Sequence, residues 1–196
     1  MDLINTILSW LSLLKQRFYC NVENIIYKKD DRNIPDIHPK IKIECKVLDS
    51  IGFENYSGRR EMKKNIVKFR YLLNCGCKMY LALHDEDIAG YYLVCNLDRY
   101  KPYLYNFEPL FAGRNKHYIF NCHTFEKYRR NRIYSYILTW ICRDTIQKNE
   151  TVLISTDKTN IPSQKGIEKA GFKKLGTLSY MQLGILKIRQ NRRDNI

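Results

Sequence analysis

Between His117 and Phe172 the chain reads strand, basic turn, helix, strand and short helix, an order that leaves few folds open. The apolar run HYIFNCHTF leads to arginines at Arg129, Arg130 and Arg132, which open an amphipathic helix through IYSYILTWICRD. TVLIS follows as a second strand, and a helical segment from Asn160 closes on Gly171 and Phe172. Two strands joined through a helix form the crossover that sets parallel neighbours into one sheet. Glycine just past a helix ends it by taking the left-handed conformation, and Phe172 then turns into the core.

Upstream the pattern is antiparallel. KMYLAL and YYLVCN flank the acidic turn HDEDIAG as a hairpin. Residues 21–28 and 41–48 read as further strands on either side of the polar, two-proline stretch KDDRNIPDIHPK. Met62, Ile66, Phe69 and Leu73 recur at helical spacing and predict one helix from Glu61 to Asn74, ended at Cys75 and Gly76. Pro102, Pro109 and Gly113 break the pattern around YLYNFEPLF, which reads as a short strand and a loop. The piece from Lys173 to Ile188 alternates as one or two strands, and residues 189–196 form a charged tail expected to fray. Strands followed by a crossover unit imply an α/β (α+β) fold, with a mixed, mostly antiparallel central sheet flanked by helices. With 196 residues, 44% of them hydrophobic, the expectation is a single domain over 1–196.

The net charge of +14 predicts attraction to polyanions or to a phosphate-rich small ligand. No zinc pattern or aromatic-basic repeat accompanies it, so specific nucleic-acid binding is not expected. The seven cysteines are odd in number and sit mostly in apolar stretches, as free thiols in a reducing cytoplasm do. Cys75 and Cys77 lack the spacing of a zinc knuckle, and no metal is expected. In residues 1–20, Leu3, Ile7, Trp10, Leu11 and Leu14 form one stripe of an amphipathic helix too short to span a bilayer. That helix packs on the domain or a partner, which leaves room for a homodimer, or makes peripheral membrane contact.

The stretch NIPSQKGIEKAGF, Asn160 to Phe172, resembles the second signature of the acetyltransferases related to the yeast histone enzyme, the GNAT superfamily. The resemblance is good over 117–176, reaches back to about Lys78 so that 78–188 is the best-matching core, and is absent before that. It implies an acyl-CoA-dependent N-acyltransferase with acetyl-CoA as co-substrate and no metal. By position, Cys122, His123 and Thr124 fall on the strand that pairs with the pantetheine arm, and Asn160 and Ser163 near the far end of that arm. The loop Arg129, Arg130, Asn131, Arg132, Ile133 and Tyr134 falls where the family holds the pyrophosphate at a helix N-terminus. Arg129 fits that signature, but Arg132 and Tyr134 stand where two small residues belong. A second departure is Ile167, at the position where many members carry a tyrosine that protonates the leaving thiolate. Tyr180 is one replacement.

A general base is also needed, and several groups compete for the role. His123 has the most useful unperturbed pKa; Glu108 and Asp157 are rivals, and Tyr118 is a further catalytic candidate. In a regular strand Tyr118, Phe120 and Cys122 point one way and His123 the other, whereas a bulge exchanges those faces. The resemblance thus implies acetyl transfer by direct attack, and the strongly basic chain favours a small amine such as an amino sugar over a basic protein tail. The alternative is a catalytically inactive GNAT-like domain that binds CoA or a partner.

Overall fold

The structure, a computed structural model, describes residues 19–99, 114–146, 150–183 and 186–193, apart from the side chains of 19–22 and 180–193. The first helix and Glu108 lie outside those residues. The strands β1 (Tyr19–Lys29), β2 (Glu44–Leu48), β3 (Lys78–His84), β4 (Asp87–Asn96), β5 (Lys116–Thr124), β6 (Thr151–Asp157), β7 (Lys173–Leu183) and β8 (Leu186–Arg193) form one sheet in the order β2-β3-β4-β5-β6-β1-β7-β8. Every pairing is antiparallel except β5 with β6.

The near-continuous apolar runs of β3 and β4 follow from burial on both faces. Met79, Leu81 and Leu93 face one layer of helices, while Tyr80, Ala82 and Tyr92 face the other. The first layer comprises α1 (Ser50–Ser57), α2 (Arg60–Lys63) and α3 (Ile66–Asn74), which bury Phe53, Met62, Phe69, Leu72 and Leu73. The second comprises α4 (Ile133–Thr145) and α5 (Ile161–Lys169), which bury Ile133, Ile137, Ile141 and Ile167.

Three elements differ from the sequence reading. The helix predicted over 61–74 is broken at Lys64–Asn65, where Asn65 leaves the helical conformation as the cap of α3. Asn is a poor helix former, its side chain makes no capping hydrogen bond here, and the apolar spacing runs on across the break without marking it. Arg189 to Arg193 do not fray: β8 pairs in register with β7 from Leu183↔Leu186 to Gly176↔Arg193. Its charged residues suit a sheet edge, which they protect from further pairing. Finally, the strand expected over 21–28 runs from Tyr19 to Lys29 as β1. It lies inside the sheet, hydrogen-bonded to β6 on one side and β7 on the other.

The end of β1 is clamped to the end of α5. Lys29 is 2% exposed, and its ammonium donates to Asp31 Oδ1 at 2.8 Å, Asn33 O at 2.9 Å and Gly171 O at 3.3 Å. Gly171 takes φ +82° to end α5, and Phe172 is buried behind it, as the sequence predicts. A cation against the last carbonyls of a helix also complements its dipole.

Candidate active site

The site begins where β5 and β6 part. They pair in parallel from Lys116↔Thr151 to Ile119↔Ile154. Beyond that, β5 stays with β4 as far as Thr124, and β6 stays with β1 as far as Asp157. The parallel neighbours thus open into a V, which leaves the inner edge of β5 after Ile119 free of β6.

A bulge in β5 sets what each side of the V presents. Tyr91 pairs with His123 and Leu93 with Phe120, so Tyr92 alone faces both Asn121 and Cys122. Asn121 takes φ +52°, a conformation that asparagine tolerates better than most residues. The extra residue exchanges the faces. Cys122 packs with the α4–α5 layer, and Thr124 Oγ1 lies 2.8 Å from Tyr92 Oη on that same side. His123 instead stacks on Tyr91, on the α1–α3 side.

On the α4–α5 side lies a cleft of about 750 Å³. Cys122, His123 and Thr124 from β5 form its floor, Arg129, Arg130, Arg132, Ile133 and Tyr134 one wall, and Asn160 and Ser163 the other. Ten of the eleven residues expected to hold a cofactor are therefore gathered in one place. Asn131 is the exception. Its Nδ2 donates to Tyr128 O at 3.2 Å and Arg129 O at 3.3 Å, and its backbone carbonyl accepts from Lys40 N at 3.0 Å. It braces the arginine loop from behind.

The loop keeps a glycine-like backbone without glycine. Arg130 has φ +66° and Arg132 φ +62°, both left-handed, where a side chain costs about 1–2 kcal/mol. This explains the departure at Arg132: the conformation that a small residue would supply freely is present, and is held by an arginine. Arg132 caps α4, whose first turn carries backbone N–H groups without helical acceptors. Three exposed arginines and a helix N-terminus together make a strongly positive wall. Arg132→Gly is expected to raise the free energy of unfolding by about 1 kcal/mol by removing the strain, which thermal unfolding would measure.

The other departure, Tyr134, is matched across the cleft. A Cβ on Gly166 would lie 2.5 Å from Tyr134 Cδ1, so this glycine in mid-helix makes room for the ring. Tyr134 also stacks on Tyr92 at 6.0 Å, and burial pushes its phenol pKa well up. Tyr128, Ser135, Pro162 and Gly166 also line the cleft. The sequence reading missed these four, although a glycine inside a helical pattern was a visible signal for the last. Asn160 caps α5, its Oδ1 accepting from Ser163 N at 3.2 Å.

The catalytic candidates separate clearly. His123 is half-buried, and burial together with the nearby Arg129 guanidinium lowers its pKa below the ordinary 6.5. Tyr118 is 1% exposed, its hydroxyl lies 2.6 Å from Ser155 Oγ, and it does not line the cleft. Asp157 is held below the usual carboxylate range by hydrogen bonds from the Thr159 hydroxyl and N–H, at 2.6 and 2.7 Å. Burial pushes the Cys122 thiol far up, which disfavours a nucleophilic thiolate. Tyr180 lies on β7, paired with Val22 and Arg189. Among the described residues, no cluster of three His, Cys, Asp or Glu is placed to hold a metal, and no helix is long and apolar enough to cross a membrane.

No family model and no curated protein matches the sequence. Solved structures do match the fold. A GNAT-family acetyltransferase from Colwellia psychrerythraea superposes with a TM-score of 0.59 at 12% identity, over 90% of this chain and 62% of that one. A GCN5-related N-acetyltransferase-like protein from Streptococcus suis gives 0.52 at 12% identity, over 89% and 68%. A Drosophila protein gives 0.55 at 11% identity, over 92% and 58%. The chain thus spans about three fifths of the length of the Colwellia and Drosophila chains. With its mixed sheet, parting parallel strands and helices on both faces, the protein has the fold of the GNAT acetyltransferases. At these identities the likeness speaks of fold alone.

Proposed function

We propose that the protein is an acyl-CoA-dependent N-acyltransferase that moves an acetyl group from acetyl-CoA to the amine of a small acceptor. One observation carries this reading: ten residues chosen from sequence position line a single cleft at the opening between β5 and β6. The cleft suits acetyl-CoA. Its arginine wall and helix N-terminus match a pyrophosphate, and the unpaired edge of β5 offers backbone partners to an extended amide-bearing arm.

In the proposed reaction His123 takes one proton from the acceptor ammonium. The freed amine attacks the thioester carbon, polarised by backbone N–H near Cys122 to Thr124. A C–N bond forms, the C–S bond breaks, and the electron pair leaves on sulfur. That sulfur takes up a proton. Ile167 is fully buried in the core and supplies no acid. The phenol of Tyr134, which lines the cleft from α4, is the donor we propose instead: it gives its proton to the departing sulfur and takes the second amine proton in return. The six described cysteines are all free thiols, which agrees with a cytoplasmic setting.

Calorimetry tests the reading: acetyl-CoA and CoA should both release heat, and a thiol reagent should report CoA release when an amine is added. No heat at millimolar ligand would sink it in favour of a non-catalytic domain. That alternative drew on the altered loop and on Ile167: Arg132 and Tyr134 have a structural accommodation in the left-handed loop and in Gly166, whereas Ile167 stays a buried core residue that lends no proton.

A further inference from the structure

The side of the sheet away from the cleft bears on which amine the site takes. Because of the bulge, His123 shares its face with Tyr118 and Phe120. The Tyr91 ring stacks on His123 at 5.5 Å with 25° between planes, and the Phe125 ring meets its edge at 4.7 Å and 78°. Behind them Phe69 packs edge-on against Tyr91 at 5.0 Å. Phe120 lies parallel to Tyr118 at 6.0 Å. His123, Phe120 and Phe125 are each half-buried, so these three side chains keep part of their surface exposed in front of the buried Tyr91 and Tyr118.

The charge around that wall is one-sided. Among the described residues no carboxylate hydrogen-bonds or ion-pairs with His123, and the charged group that acts on it is the Arg129 guanidinium. A polycation would meet repulsion here without a counter-charge. The hydroxyls of a sugar would lie against ring faces that offer them no hydrogen-bond partner. A flat apolar body would stack, and one ammonium can sit over a ring face until His123 takes its proton.

We infer that the acceptor subsite, formed by Phe120, Phe125, Tyr91 and His123, takes an arylalkylamine: a primary amine on an aromatic body with no second cationic group. This replaces the amino sugar expected from sequence, and it rests on the acyltransferase reading above. The transfer balances as described: the arylalkylammonium gives up two protons, one to His123 and one to Tyr134, which protonates the departing sulfur.

The test compares 2-phenylethylamine, glucosamine and spermidine with acetyl-CoA in a thiol-release assay. The value of kcat/KM for 2-phenylethylamine should exceed the other two by at least about tenfold, the discrimination typical of an apolar pocket. Phe125→Ala should raise KM for 2-phenylethylamine about tenfold with the Kd of acetyl-CoA unchanged. Phe120→Ala provides the same readout should the first variant fold poorly. If acetyl-CoA binds and glucosamine or spermidine is the better acceptor, this inference falls while the acyltransferase reading stands. If acetyl-CoA does not bind, both fall, so the two failures are distinguishable.

Discussion

Replacing His123 with phenylalanine is expected to lower kcat/KM by roughly 10²–10⁴-fold, the usual contribution of a general base, and to leave the Kd of acetyl-CoA unchanged. Phenylalanine keeps a ring against Tyr91 and Phe125 but has no nitrogen to accept a proton. The pH profile separates a base from a packing residue. Burial, and then the Arg129 guanidinium, disfavour the imidazolium and lower its pKa below 6.5. A base works when neutral, so the wild-type rate should climb with pH through that lowered value and level off below pH 6.5. The variant should lack this limb. A variant that loses activity but retains the limb would assign the base elsewhere. Stability follows the same sign. The folded state binds this proton less readily than the unfolded chain does, so the contribution of His123 falls as pH drops through the unfolded value.

How much of this was legible in the sequence depended on how local each feature is. The helix and closing glycine of the segment from Asn160 to Phe172 were legible, because cap, helix and left-handed glycine are set within a few residues of one another. The arginine loop was legible by charge and position but misleading by side-chain size. Only φ at Arg132 shows that the backbone keeps the shape a glycine would allow, and nothing in the residue type announces this. Tyr134 looked like an obstruction because its accommodation, Gly166, lies on another helix. The bulge in β5 had one faint local sign, an asparagine at its strained position, yet it decides which face His123 occupies. The place of β1 between β6 and β7 was not legible at all, since strand order is a property of the closed sheet.

A last expected result concerns Gly90, which holds the V in shape without lining the cleft. It lies on β4 opposite Thr124, and a Cβ there would sit 2.6 Å from the His123 carbonyl oxygen and 3.4 Å from Thr124 Cα. Tyr92 Oη lies at 3.3 Å as well, but the closest obstacle is backbone, so the clash cannot be relieved by rotating a side chain. It would have to be relieved by pushing β5 away at the bulge that orients His123. Gly90→Ala is therefore expected to destabilise the fold by about 1–3 kcal/mol, as over-packing does. It should also lower kcat/KM by on the order of 10²-fold, because small misplacements of reacting groups are that costly. Gly58→Ala is the control. A Cβ at Gly58 meets nothing within 4 Å and its φ is −74°, so alanine there should be neutral or stabilising by up to about 1 kcal/mol. Denaturant midpoints and thiol-release rates for the two variants give the comparison. If both behave alike, the strands stand further apart at Gly90 than this geometry requires, and the orientation of His123 does not depend on their close approach.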